Sequence, residues 1–381
     1  MELFKISCSN VSSPLLMLPI QQENNVCLFT LTNKMQYRFD VDIEELQDCR
    51  FVGSSHGWLI LLNQKADPIL LNIFTGFCHQ LPGKETFPHI HAIREVENEV
   101  FEIHYKSWDY SVSHSSKTLR QLSVAKAVLS ENPSSCDADC KAIIMYNVLC
   151  KSKLAFCRLG DCEWTGFDGG IESYYDIVCN NNMLYALGAG PSVEIWDLSE
   201  STPSMKMIIQ VPSPRKLTES HQIYPSDLYS SQWYLAFSSG EMFLVVRYIG
   251  EFVRFDGVVV YEGDTLTDHS SQPLICPYRT VKFHAYKLDF DQKLWLPVQS
   301  LNDYALFVGG NHTELLPVKE HPGCKGNAIY FTDDYWDRMD EDYSYGGHDM
   351  GIFNLEDGSI EPLLDFDQER IEPPPFWIVP N

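Results

Sequence analysis

Apolar and polar residues alternate along almost the whole chain. The apolar runs span about four to seven residues and end at Gly, Asn, Asp, Ser or Pro, which predicts short β-strands joined by tight turns. Trp58–Leu62, Ala142–Tyr146, Leu154–Arg158, Met183–Leu187, Met242–Tyr248, Val258–Tyr261 and Ala328–Phe331 are examples. Helical spacing is confined to Val41–Cys49, Thr118–Leu129 and Thr218–Tyr229. A degraded unit recurs: an apolar strand, a turn rich in Asp, Asn, Thr or Gly, then a strand carrying a large apolar residue. Copies run over Leu70–Pro82, Leu154–Asp168, Val193–Val211, His284–Leu301 and Gly351–Leu364, with a weaker one over Cys27–Ile43. Such a unit suits the outer hairpin of a propeller blade, whose register is pinned by its turn. Six copies predict an all-β, single β-propeller with six blades favoured over seven, at roughly 60 residues per blade. The C-terminal strand near Phe376–Val379 is expected beside the N-terminal strand near Pro14–Leu18, which closes the ring and removes its free edges.

Three segments fit no repeat and are expected as long loops: His89–Ser123, Pro212–Ser231 and Tyr335–Gly347. None is long or simple enough to divide the chain. Residues 1–11 read as a tail and 12–380 as one domain.

Charge narrows the function. The 381-residue chain carries a net charge of −24, and between Phe331 and Glu372 14 acidic residues face only Arg338 and Arg370. A nucleic-acid binder needs clustered cations, and so does a protein held on an anionic membrane surface, so neither partner is expected. No apolar run is long enough for a membrane span, and the N-terminus lacks the pattern of a secretory signal. The expected location is cytoplasm or nucleus. The 12 cysteines are then expected as reduced thiols, without zinc, since no CxxC pair is present.

Ordered motifs sharpen the picture. Gly53–Leu59 reads GSSHGWL, followed by LLNIFTG and a closing LP; Lys126–Ser130 reads KAVLS and Ile195–Leu198 reads IWDL. Phe283–Leu301 carries Lys-Leu-Asp, Trp and Ser-Leu; Gly326–Asp334 reads GNAIYFTDD, Gly351–Ile360 reads GIFNLEDGSI and Pro373–Ile378 reads PPPFWI. In this order and spacing the set resembles the plant F-box-associated propeller family of KIB type, over about Ser12–Pro380. The resemblance implies a β-propeller that captures a target, often behind an F-box that docks on a Skp1-cullin ubiquitin ligase. Here only about eleven residues precede the first strand, too few for a three-helix F-box. A Skp1-type adaptor is therefore expected as a partner only if an F-box lies upstream.

Candidate chemistry is sparse. His56 lies in a tight-turn pattern, GSSHGW, and its neighbour Ser55 faces the other side of a strand, so the two form no catalytic pair. Asp333, Asp334, Asp337, Asp340 and Asp342 have calcium-like density of acid, but the Gly and Glu of an EF-hand loop are out of register. Asp333 and Asp334 read as turn caps ending a strand, and the rest as a solvated acidic loop. No catalytic, cofactor or metal residue is assigned. Trp58, Trp164, Trp196, Trp295 and Trp377 read as core between blades. Tyr335, Trp336, Asp337, Asp340, Asp342, Tyr343 and Trp108 are the candidate partner-binding residues, where acid steers a basic partner and aromatics supply buried contact. The expected function is a non-catalytic, protein-binding propeller resembling the target-recognition module of F-box proteins, its partner a kinase or transcription regulator with a basic surface. The competing expectation is a propeller enzyme with a metal or paired-carboxylate site in its central channel.

Overall fold

The computed structural model describes residues 13–21, 25–40, 49–97, 99–106, 110–134, 139–149, 151–188, 192–210, 223–254, 256–261, 275–310, 312–339, 345–364, 370–371 and 373–379. Among these residues the strands form seven antiparallel or mixed sheets. Six of them close a ring, and each pair of neighbours is joined by its own apolar wedge. We number these blades I to VI. Blade I holds Leu15–Gln21, Asn25–Thr30 and Gln36–Asp40 with Phe376–Ile378 as its inner strand. The inner strands of blades II to VI are Arg50–Ser55, Val124–Leu129, Tyr174–Asn180, Tyr229–Ser238 and His312–Pro317.

Wedges explain why the alternation reads so clearly. Each strand face meets the next blade, so both faces bury apolar residues at period two. Leu15, Met17 and Leu28 of blade I pack on Phe51, Leu59 and Leu61 of blade II. Leu16, Phe29 and Trp377 of blade I pack on Phe307 and Tyr330 of blade VI. The ring closes as expected: Leu15 pairs with Ile378, Leu16 with Trp377 and Met17 with Phe376. Trp58, Trp164, Trp196, Trp295 and Trp377 are all buried in wedges or beside them.

All six repeat copies are outer hairpins, one per blade. Their Asx turns carry the register. Asn72 Oδ1 accepts from the backbone N–H of Phe74 and Thr75, and Asp289 Oδ1 from Asp291 and Gln292. Gly53 has a different role. A Cβ there would lie 2.2 Å from the Ala127 carbonyl oxygen, so the inner strands of blades II and III touch backbone to side-chain position.

The structure corrects three expectations. His89–Ser123 is not a loop. Ile90–Glu97, Val100–Tyr105 and Ser111–Ser115 form the seventh sheet, followed by helix α1 (Ser116–Ser123). Ile90, Ile103, Tyr105 and Leu119 from this insertion pack onto the wedge between blades II and III, outside the ring. The sheet buries only part of one face, which leaves its sequence too polar for a strand pattern. Thr118–Leu129 is likewise not one helix, because α1 ends where the inner strand Val124–Leu129 begins. The helical pattern at Val41–Cys49 lies outside the described residues but for Cys49; of that at Thr218–Tyr229, residues 223–229 are described, and from Tyr224 on they form turns that lead into the inner strand starting at Tyr229, not a helix.

Blades V and VI carry the third correction. Glu241–Arg254 and Ile275–Asp289 of blade V are 14 and 15 residues long and run on beyond the ring as a two-stranded extension. Residues 332–339 and 345–350, between two strands of blade VI, lean on that extension through Tyr335, Trp336, Met339 and Tyr345 against Ile249 and Tyr278. Its start is therefore packed and not a solvated acidic loop.

Candidate functional site at the channel mouth

The inner strands bring their first residues to one end of the central channel. Three of them carry a β-bulge there, between Phe51 and Gly53, Val124 and Lys126, and Tyr174 and Asp176. A bulge breaks period two and re-aims one side chain. In blade III, Val124 and Ala127 face one wedge and Ala125 and Val128 the other, which leaves Lys126 for the channel. Asp176 holds the matching place in blade IV. The Lys126 ammonium donates to Asp176 Oδ1 at 2.5 Å and to Thr313 Oγ1 at 3.2 Å. Asp176 also accepts from the backbone N–H of Ile177 at 2.9 Å and of Leu235 at 2.6 Å. One buried ion pair thus ties blades III, IV, V and VI around the channel.

A second ionic site lies beside it. Arg247, fully buried on blade V, donates to Asp334 Oδ1 at 2.6 Å and the Thr332 carbonyl at 2.9 Å. Its other nitrogens reach Asp349 Oδ2 at 2.9 Å and Thr280 Oγ1 at 2.7 Å. Tyr234 donates to Asp334, and Thr280 donates to Asp349 through both its backbone N–H and its hydroxyl. Asp333 lies behind, accepting from the Tyr278 hydroxyl at 2.7 Å and the Gly347 N–H at 2.9 Å. Two buried carboxylates therefore share one guanidinium, with a third, Asp333, behind them. Burial, and then the charge of Asp349, pushes Asp333 up to about 7. Burial also raises Asp334, against the opposing pull of Arg247. Burial drives the Tyr234 and Tyr278 phenols upward, so both stay donors.

Above these floors opens a cavity of about 470 Å³, lined by Tyr175, Gln232, Trp233, Gly310 and Trp336 among others. Tyr175 is 53% exposed, and its ring lies 6.0 Å from that of Trp233 at a tilt of 39°. Across the mouth, Trp336 starts the short helix α2 (Trp336–Met339). The Arg50 guanidinium of blade II lies 4.2 Å over its ring. A Cβ on Gly310 would come within 2.9 Å of the Trp336 indole nitrogen, so that glycine leaves room for the ring.

The expected partner residues are distributed unevenly. Trp336 lines the mouth, half-buried and not projecting. Tyr335 turns inward, where its hydroxyl meets Ser230 at 2.6 Å and Glu251. Asp333 and Asp334, expected as turn caps, are buried acceptors for Tyr278 and for Arg247 with Tyr234. Asp337 lies on α2; Trp108, Asp340, Asp342 and Tyr343 fall outside the described residues. His56 sits in the hairpin turn before Trp58. Sequence reasoning missed Lys126, Asp176, Arg247, Asp349, Tyr175 and Trp233. The available signal was a lone cation inside a buried strand, Lys126 in VAKAVL and Arg247 in MFLVVRYIG, since such a charge is buried only when paired. Among the described residues, no group of three or more His, Cys, Asp or Glu is placed to hold a metal ion, and no helix is long and apolar enough to cross a membrane.

Comparison with known proteins now decides the family. A family model described as KIB1-4 beta-propeller matches residues 28–354. The chain belongs to that family. Its relatives include the F-box protein SKIP23 of Arabidopsis thaliana, 26% identical over 95% of this chain and 84% of that protein. The F-box protein At2g26160 of the same plant is 26% identical over 74% of each chain, and the F-box protein At4g35733 is 24% identical over 83% of this chain and 74% of its own. Among solved structures, the Cps50 (Swd1) β-propeller domain of Myceliophteria thermophila aligns over 93% of this chain and 90% of its own at 8% identity, with a TM-score of 0.32. The computationally designed Ika8 protein aligns over 94% and 89% at 9% identity, with a TM-score of 0.31.

Proposed function

We propose that this KIB1-4 propeller is a non-catalytic, protein-binding module of the target-recognition kind found in F-box proteins, with the channel mouth as its docking face. The observation that carries this reading is the exposed Tyr175 beside Trp233 at the rim of a cavity whose charged floor is already paired. Tyrosine and tryptophan dominate interface hot spots because a rigid ring buries much area for little lost entropy. The names of the Arabidopsis relatives support the recognition role. The partner in this reading is a basic protein, a kinase or transcription regulator, met in cytoplasm or nucleus. The acid between Phe331 and Glu372 speeds its approach, an effect that fades as salt rises. Docking on a Skp1-type adaptor belongs to an F-box and not to the propeller. The catalytic alternative has Asp176 and Asp334 as its paired carboxylates at the mouth. Each already faces a cation at 2.5–2.6 Å, which favours binding over chemistry.

Affinity capture from plant extract tests the reading. The Tyr175→Ala/Trp233→Ala protein is expected to lose partners that the wild type retains. Phe77→Ala, on the exposed turn of blade II's outer hairpin, is expected to keep them. An unchanged partner set with the rim variant would place the binding surface elsewhere.

A further inference from the structure

We propose that the mouth seats the cationic side chain, lysine or arginine, of a basic segment in the partner; this rests on the docking reading above and names the chemistry of its occupant. Three observations converge. Trp336, which lines the mouth, already carries a cation on its ring, Arg50 at 4.2 Å. That contact is made within the chain and shows the chemistry the site accommodates. On the opposite rim stands the second aromatic pair, Tyr175 and Trp233, with the Tyr175 ring more than half exposed. Among the described residues no cation lies over either of these two rings. An ammonium or guanidinium placed there gains from the negative face of each ring, and gains more where the cleft removes water.

The charge around the cleft selects the same occupant. Asp176 and Asp334 close its floor, each paired with a buried cation, Lys126 and Arg247, so the floor presents no free positive charge that would repel one. The chain as a whole carries a net charge of −24. An anionic side chain, a phosphorylated one included, would enter against this field, whereas a cation is drawn in. The cavity of about 470 Å³ lies within the size range of pockets that hold a small ligand, and so accommodates one long side chain with its adjoining backbone.

Panning random dodecapeptides displayed on phage against the full chain tests this. The enriched pool is expected to be rich in Lys and Arg. Its recovery is expected to drop at least about tenfold on Tyr175→Ala/Trp233→Ala, the scale of losing cation–π contacts in a desolvated site. Tyr175→Phe, which keeps the ring, is expected to retain recovery. A synthetic peptide from the pool should lose affinity when its arginine is replaced by citrulline, which has the same shape without the charge. An acidic or uncharged apolar consensus that still depends on Tyr175 and Trp233 would overturn the cation proposal and leave the docking reading standing. Failure to enrich any peptide whose recovery depends on these two residues would overturn both.

Discussion

Lys126 and Arg247 are both buried cations at the channel mouth, yet they are balanced differently. Lys126 meets one carboxylate, Asp176, and its pair holds inner strands of the ring together. Arg247 meets two, Asp334 and Asp349, with Asp333 behind them, and its cluster fixes residues 332–334 and 347–349 to the extension of blade V. The first site is matched charge for charge and serves closure of the propeller. The second has an excess of buried acid, so its state depends on protons. The comparison separates the part of the mouth that belongs to the ring from the part added on top of it, which contributes Trp336.

Removing the cations breaks the comparison most sharply. Arg247→Leu strands two carboxylates and is expected to cost the upper end of about 3–5 kcal/mol in chemical denaturation. Lys126→Met strands one and is expected at the lower end of the same range, about 3 kcal/mol. Adding Asp176→Asn to Lys126→Met should recover most of that loss, because the remaining amide oxygen still accepts from Leu235 and no buried charge is left. A double variant no more stable than Lys126→Met would show that the pair does not act as a unit. Gly53→Ala, at the close approach of blades II and III, is expected to cost about 1–3 kcal/mol by overpacking.

Titration sharpens the contrast. Asp333 is raised to about 7 in the folded chain, above its ordinary value of 3.8. For an acid with a raised folded value, the folded state holds a proton that the unfolded state releases. Its contribution to stability is full below about pH 4, declines as pH rises through about 7, and is flat above. Thermal midpoints between pH 5 and 8 should fall with this slope in the wild type. They should lose it in Asp333→Asn and keep it in Lys126→Met, which does not touch Asp333. The smallest effect is expected at the rim: Tyr175→Ala, more than half exposed, should change stability by no more than about 0.5 kcal/mol.

The ring was legible because its signal is local. An Asx turn between two apolar strands is encoded within about a dozen residues, and each of the six copies proved to be the outer hairpin of one blade. The mouth was not legible for the opposite reason. Lys126 finds Asp176 50 residues away, and Arg247 finds Asp334 and Asp349 87 and 102 residues away. Asp333 and Asp334 follow a strand, where the local rule reads acids as turn caps; a distant arginine and two tyrosines make their burial tolerable. Tyr175 was hidden by the bulge beside it, which turns the expected alternation of its strand.

The claim that the mouth docks a protein partner is tested most directly by photo-crosslinking in plant cells with benzoylphenylalanine placed at position 175 or, as control, at position 77. The account predicts a light-dependent covalent adduct with a partner protein at position 175 that Trp233→Ala abolishes, and none at 77. Adducts of equal yield at both positions, or an adduct at 175 indifferent to Trp233, would contradict it.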